Sequence, residues 1–118
     1  MNKSIDIHER IFQFVARGLK VIPTLPRTTE AKIIIDQYVR SLTSVGANDN
    51  EADGTSTRKD FLHVYTIVRK ELKETRYWLR VIDALYPNLS GRLTNLLGES
   101  EELIKIISKI ILNTRNNT

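Results

Sequence analysis

Apolar residues recur at intervals of three or four along almost the whole of this 118-residue chain. That period belongs to an α-helix with one buried face, since a half-buried β-strand would alternate with a period of two. Three prolines and one stretch rich in Gly, Ser and Asp, residues 52–56, divide the pattern into four segments. The sequence therefore predicts an all-α fold with four helices.

We predict these helices over residues 6–22, 28–51, 57–86 and 90–113. Asp6 and Thr28 or Thr29 suit the N-cap position, and Glu9 follows Asp6 at the spacing of a capping box. Gly54 is expected to take the left-handed conformation after the second helix. Four amphipathic helices with short connections favour an antiparallel up-down four-helix bundle, and the length suits a single domain over residues 1–118.

The composition argues against several kinds of site. The chain has no cysteine, which excludes disulfides, thiol catalysis and cysteine-ligated zinc. Its two histidines, His8 and His63, lie far apart, so we predict no metal site and no other cofactor. No serine–histidine–carboxylate set and no glycine-rich phosphate loop is evident, and we predict no catalytic residue.

Neither a targeting segment nor a membrane span is evident. Residues 1–10 lack the apolar region of a secretory signal. The longest apolar runs, such as Ile33–Ile35, are far too short to cross a bilayer. We therefore predict a cytoplasmic protein.

The third and fourth helices have unusually wide apolar faces. A second apolar set flanks the main seam of the third helix: Val64, Ile67, Trp78, Val81 and Leu85. The fourth helix has apolar doublets at 96–97, 103–104, 106–107 and 110–111, which widen its face to roughly half the circumference. Exposing a second stripe would forgo hydrophobic stabilisation, so the pattern predicts a homo-oligomer with Trp78 at a subunit contact. The alternative is that a short bundle wraps its central helix more completely.

Several segments resemble a known family. They are residues 44–54, 59–63 and 70–79, and the most specific is Asn48-x-x-Glu51-Ala52-x-Gly54. The chain resembles, from Ile7 to Ile111, the four-helix-bundle proteins encoded in intervening sequences of bacterial 23S ribosomal RNA genes. That family is similar to the accessory variability determinant proteins of diversity-generating retroelements.

The resemblance implies a four-helix bundle that assembles as a homopentamer, with a basic surface that binds nucleic acid. The family has no established biochemical role, so the resemblance leaves function open. One position departs from the family pattern, because Asp49 stands where an aromatic or aliphatic residue is usual.

A stripe of positive charge is the best candidate binding site. Arg69, Lys73, Arg76 and Arg80 are spaced to share one side of the third helix. Residues 57–86 contain seven Lys or Arg against four Asp or Glu, and the whole chain has a net charge of +4. Such a stripe suits contact with phosphates. Lys105 and Lys109 on the fourth helix are weaker candidates. The alternative is a solvated face neutralised by Glu71, Glu74 and Asp83.

Two further features have structural and functional interpretations. Asn48 and Glu51 end a stripe of small residues, so we assign them a structural or interface role, with polar groups that bond a neighbouring helix terminus. Arg58 and His63 have a spacing similar to that of the helical HEPN ribonucleases, in which arginine stabilises phosphate charge and histidine handles a proton.

The sequence thus favours a non-catalytic, oligomeric, nucleic-acid-binding bundle. An adaptor that docks a protein such as a reverse transcriptase is the first alternative. A HEPN-like ribonuclease is the second.

Overall fold

Four α-helices form where the apolar period and the capping residues place them. In the computed structural model, which describes residues 6–117, these are α1 (Ile7–Leu19), α2 (Thr29–Ala52), α3 (Arg58–Leu85) and α4 (Ser90–Asn116). The all-α prediction is confirmed, since residues 6–117 contain no strand. The ends of the predicted domain, residues 1–5 and 118, and half of the segment searched for a secretory signal lie outside this range.

Side-chain caps fix the starts of the first three helices. The Asp6 carboxylate accepts a hydrogen bond from the His8 amide at 3.1 Å. Thr28 and Thr57 cap α2 and α3 in the same way, accepting from amides three residues later. The predicted capping box does not form in the described residues, because the Glu9 carboxylate accepts from the Gln13 amide side chain instead.

Two helix ends differ from the prediction. Helix α1 stops at Leu19, and a 3₁₀ turn at Ile22–Thr24 follows, because Pro23 has no N–H with which to continue the helix. Helix α4 continues three residues past the predicted end, to Asn116, where no proline or glycine interrupts it.

The left-handed conformation predicted for Gly54 is wrong. Within residues 6–117 no glycine has a positive φ. The turn closes instead through right-handed backbone, with the Gly54 amide donating to the Glu51 carbonyl at 3.0 Å and Thr55 to Ala52 at 3.2 Å.

Each helix packs against two others. Helix α3 contacts α2 and α4, and α1 also contacts α2 and α4. The apolar seams meet in the middle, where the fully buried side chains include Phe14, Tyr38, Leu42, Tyr65, Leu72, Leu79, Leu103 and Ile107. The outer surfaces of α3 and α4 therefore stay free for contacts with other molecules.

A single chain covers more of the wide apolar faces than the sequence argument assumed. Val64 on α3 is buried, and each doublet of α4 has at least one buried member: Leu96, Leu103, Ile104, Ile107 and Ile111. Ile67, Trp78 and Val81 are half-buried, and Leu85 is 49% exposed. What remains open on α3 is a narrow apolar strip rather than a second full stripe.

Candidate nucleic-acid interface

The four predicted cations of α3 lie on one side of the helix. Their spacing spreads them over only about 60° in all at 100° per residue, because positions i, i+4, i+7 and i+11 lie close together in projection. Lys73 and Arg80 are exposed, and Arg69 and Arg76 are half-buried. We call Arg69, Lys73, Arg76 and Arg80 the basic stripe.

The basic stripe borders the groove between α3 and α4. The Arg69 guanidinium donates to the Ser108 hydroxyl of α4 at 3.4 Å, which places that end of the stripe against α4. Lys105 lies three residues before Ser108 and Lys109 one after it, and both are exposed. Two exposed acidic residues, Glu101 and Glu102, lie one helical turn before Lys105. The groove thus brings together cations from two helices.

The acidic residues of α3 mostly do not neutralise the stripe. Glu71 and Glu74 both pair with Arg40 of α2, Glu71 at 3.5 Å and Glu74 through a short hydrogen bond. That bond, aided by the Trp78 indole, lowers the pKa of Glu74, so it is ionised at neutral pH. Among residues 6–117, none of the ion pairs includes a stripe cation or Asp83, which lies one turn after Arg80. Of the three acids in the proposed alternative, Glu71 and Glu74 therefore neutralise the α2 side of α3 instead.

Trp78 lies on that α2 side, where it is half-buried. Its indole Nε1 donates to the Glu74 carboxylate at 3.2 Å, and its ring meets Tyr77 edge-on with centroids 5.0 Å apart. Tyr77 itself is 55% exposed. Both aromatic rings therefore have faces available to a partner molecule.

Asn48 and Glu51 do not link helices in this chain. The Asn48 amide donates to the carbonyl and the hydroxyl of Ser44, at 2.9 and 3.0 Å, so its bonds stay within α2. Glu51 is exposed, and it accepts no side-chain hydrogen bond within residues 6–117. Within residues 6–117 Asn48 makes no hydrogen bond to another helix, and the interface role of Asn48 and Glu51 stays a prediction.

Arg58 and His63 do not converge. Both lie on α3 and are exposed, and residues five apart on a helix point about 140° away from each other. Arg58 borders a cleft of about 390 Å³ with His8 and Phe61, whereas His63 does not. Within one chain, the ribonuclease-like spacing therefore builds no shared site.

A buried polar cluster was not predicted. The Asp49 side chain is only 6% exposed, yet both its oxygens lie 3.0 Å from His8 Nδ1 and one accepts from the Tyr65 hydroxyl at 2.8 Å. The cluster joins α1, α2 and α3. The departure of Asp49 from the family pattern was the one sequence signal of this cluster, and a buried carboxylate needs such partners.

The electrostatics of this cluster do not favour phosphate. The bond to Asp49 raises the pKa of His8, with Asp6 and Asp53 adding to the effect. Burial and the same carboxylates raise the pKa of Tyr65. Three carboxylates around one imidazole leave this cluster acidic, so the cluster itself would repel a nucleic-acid backbone. The basic stripe is the better interface.

No helix within residues 6–117 is both long enough and apolar enough to cross a membrane. The same residues contain no group of three or more His, Asp or Glu side chains placed to hold a metal ion.

Comparison with known proteins gives a family and four matching chains of solved structures. A crystal structure described as a protein of unknown function from the S23 ribosomal protein family of Bacteroides thetaiotaomicron VPI-5482 is similar, with a TM-score of 0.81 and 27% identity. The likeness covers 90% of this chain and 98% of that one. No curated protein matches significantly. The model of the 23S rRNA-intervening sequence proteins matches residues 3–109, and the chain therefore belongs to that family.

Proposed function

We propose that this chain is a non-catalytic cytoplasmic protein that binds RNA or DNA through the groove between α3 and α4. The observation that carries the proposal is the basic stripe, whose four cations lack acidic partners in the described structure while Glu71 and Glu74 are engaged by Arg40. Lys105 and Lys109 extend the positive surface across the groove. Cations that are not already paired lose little when they neutralise phosphates, and the counterions that they displace favour binding.

The proposal includes an antiparallel up-down bundle that assembles as a homo-oligomeric ring. The resemblance to the family implies five copies in the ring. Contacts support the antiparallel order, because His8, early in α1, meets Asp49, late in α2, and Asp49 in turn meets Tyr65, early in α3. A ring would repeat the basic stripe around its circumference. Repetition would strengthen binding through avidity, since one nucleic acid could contact several stripes.

The decisive experiment reverses the charge of the basic stripe. A variant with Arg69, Lys73, Arg76 and Arg80 all changed to Glu should lose binding to a labelled stem-loop RNA and to duplex DNA in fluorescence anisotropy. Each duplex phosphate contact adds about 0.9 to the slope of log K against log salt, so four lost contacts should reduce it by roughly three to four. Circular dichroism should show an intact helical fold, because these side chains are not part of the core.

The matched control reverses four exposed cations elsewhere: Arg27, Lys32, Lys59 and Arg115. Both variants carry a net charge of −4, because four reversals subtract eight from +4. The control should keep most of the affinity. Equal losses of affinity in the two variants would show that the stripe contributes only through the overall charge. Full retention of affinity by the stripe variant would refute the proposal.

Protein docking is the second candidate, and exposed apolar side chains favour it. Ile33 on α2 is 62% exposed and Tyr77 on α3 is 55% exposed. An adaptor that holds a protein such as a reverse transcriptase would use these residues. Its binding would persist at high salt, whereas phosphate contacts weaken steeply with added ions.

A further inference from the structure

A second cluster of cations lies between α1 and α4, away from the basic stripe. Arg17 and Lys20 from the end of α1, and Arg92 and Asn95 from the start of α4, line one cavity of about 250 Å³. Leu96 forms its apolar floor and is buried. No acidic residue lines this cavity.

Farther along the contact between α1 and α4, opposite charges are paired. Arg10 donates to both Glu99 oxygens, at 3.1 and 2.8 Å, in a two-bond pair between α1 and α4. Arg17 is seven residues after Arg10, and Arg92 is seven before Glu99, so each lies two turns along the same helix face. At the level of the cavity, Arg92 therefore occupies on α4 the place that Glu99 has in the pair with Arg10. Two arginines, Arg17 and Arg92, thus face each other there.

Like charges that face one cavity repel each other, and a bound anion would remove that repulsion. Among residues 6–117, Arg17, Lys20 and Arg92 take part in none of the ion pairs. We propose that this cavity, lined by Arg17, Lys20, Arg92 and Asn95, is a binding site for a phosphate group.

The donor set suits phosphate better than a carboxylate. Two guanidinium groups can each offer paired N–H donors to a tetrahedral oxyanion, and the Lys20 ammonium and the Asn95 amide supply further donors. Three positive charges match a group that carries up to two negative charges. A water molecule occupies about 30 Å³ of liquid, so the cavity has room for a phosphate group and several waters.

The phosphate could be free or part of a nucleic-acid backbone, and two titrations separate these sources. The full chain is titrated with inorganic phosphate and, separately, with a short single-stranded oligonucleotide, while backbone amide signals are followed by NMR. Sodium chloride at matched ionic strength is the reference. We expect phosphate to shift the signals of residues 17–20 and 92–96 and to raise the melting temperature above that in chloride.

Two variants test the assignment. Arg92→Gln should weaken phosphate binding about tenfold or more, since a charge-assisted hydrogen bond is lost. In phosphate-free buffer it should melt no lower than the unchanged protein, because the repulsion is relieved. Arg27→Gln, which removes an exposed cation elsewhere, should bind phosphate normally.

The inference is independent of the basic stripe. The stripe-reversed variant should still bind phosphate in this cavity, so failure of one proposal would leave the other standing. Signal shifts with the oligonucleotide alone would identify a backbone phosphodiester as the ligand. Two results would overturn the assignment. The first is an equal response to phosphate and chloride, with no oligonucleotide-induced shift at these residues. The second is unchanged phosphate binding in Arg92→Gln.

Discussion

At the scale of single residues, the cluster of His8, Asp49 and Tyr65 shows where sequence patterns stop being informative. His8 and Asp49 are 41 positions apart, and each has an ordinary place on its own amphipathic helix. Nothing in the spacing of either helix brings them together, because their meeting depends on how α1 packs against α2. The unusual residue type at Asp49 could be seen in the sequence, but its partners could not.

The raised pKa of His8 makes part of the fold's stability depend on pH. Its contribution is complete below the unfolded pKa of about 6.5 and is lost as pH rises through the higher folded value. Replacing His8 with Gln should therefore reduce the free energy of unfolding most at mildly acid pH. The difference between the two proteins should shrink as the solution becomes alkaline.

Urea unfolding at a series of pH values measures this difference directly. An Asp49→Asn variant supplies the second arm, because without the carboxylate charge the pKa of His8 should fall towards its ordinary value in an NMR titration. His63, which lies outside the cluster, provides a reference signal in the same spectra. A difference between the unchanged protein and His8→Gln that stays constant across the pH series would contradict the linkage.

At the scale of helices, most boundaries could be predicted because their causes are local. The caps at Asp6, Thr28 and Thr57 and the breaks at Pro23 and Pro87 act within one turn of the chain. The errors at the ends of α1 and α4 are of three residues each and also have local causes, whereas the error at Gly54 arises from a choice between turn types. Gly54 permits a left-handed turn without requiring one, and right-handed backbone was sufficient there.

Gly18 is the position where two helices depend on a missing side chain. A β-carbon there would lie 2.7 Å from Leu42 Cδ2 and 2.8 Å from the Tyr38 hydroxyl. That hydroxyl also donates to the Gly18 carbonyl at 2.8 Å, so it cannot move without losing its hydrogen bond. We expect Gly18→Ala to destabilise the protein by about 1–3 kcal/mol, through forced separation of α1 and α2.

The control for this change is Gly98→Ala on α4. A β-carbon at Gly98 meets nothing within 4 Å, so only helix propensity acts. This variant should be more stable by up to about 1 kcal/mol. Chemical denaturation of both variants gives the comparison, and a neutral or stabilising Gly18→Ala would show that the α1–α2 contact can relax at no cost.

At the scale of the whole molecule, the sequence predicted the positive stripe but not what surrounds it. The spacing of Arg69, Lys73, Arg76 and Arg80 was enough to place them on one side of α3. At 100° per residue Glu71 and Glu74 project onto the other side of α3 from the stripe, but their partner Arg40 depended on how α2 packs against α3. The phosphate cavity has the same origin, since Arg17 and Arg92 come from opposite ends of the chain.

The predicted oligomer has only a small exposed apolar surface on which to form. One chain buries at least one member of every apolar doublet of α4, so we expect the strip formed by Ile67, Trp78, Val81 and Leu85 on α3 to supply the subunit contact. Leu85 is 49% exposed, and changing it to Lys should leave the monomer folded while it places a charge in the contact. We expect the unchanged protein to sediment as an oligomer and Leu85→Lys to shift towards the monomer.

The matched control is Phe12→Lys, which changes a still more exposed apolar residue, 66% accessible, on α1. It should sediment like the unchanged protein. Salt adds a second criterion. Added ions screen the contacts between cations and phosphates, but they do not weaken apolar contacts. The oligomer should therefore persist at salt concentrations that release nucleic acid. A monomer at every concentration tested would remove the ring from the proposal and leave each basic stripe to bind alone.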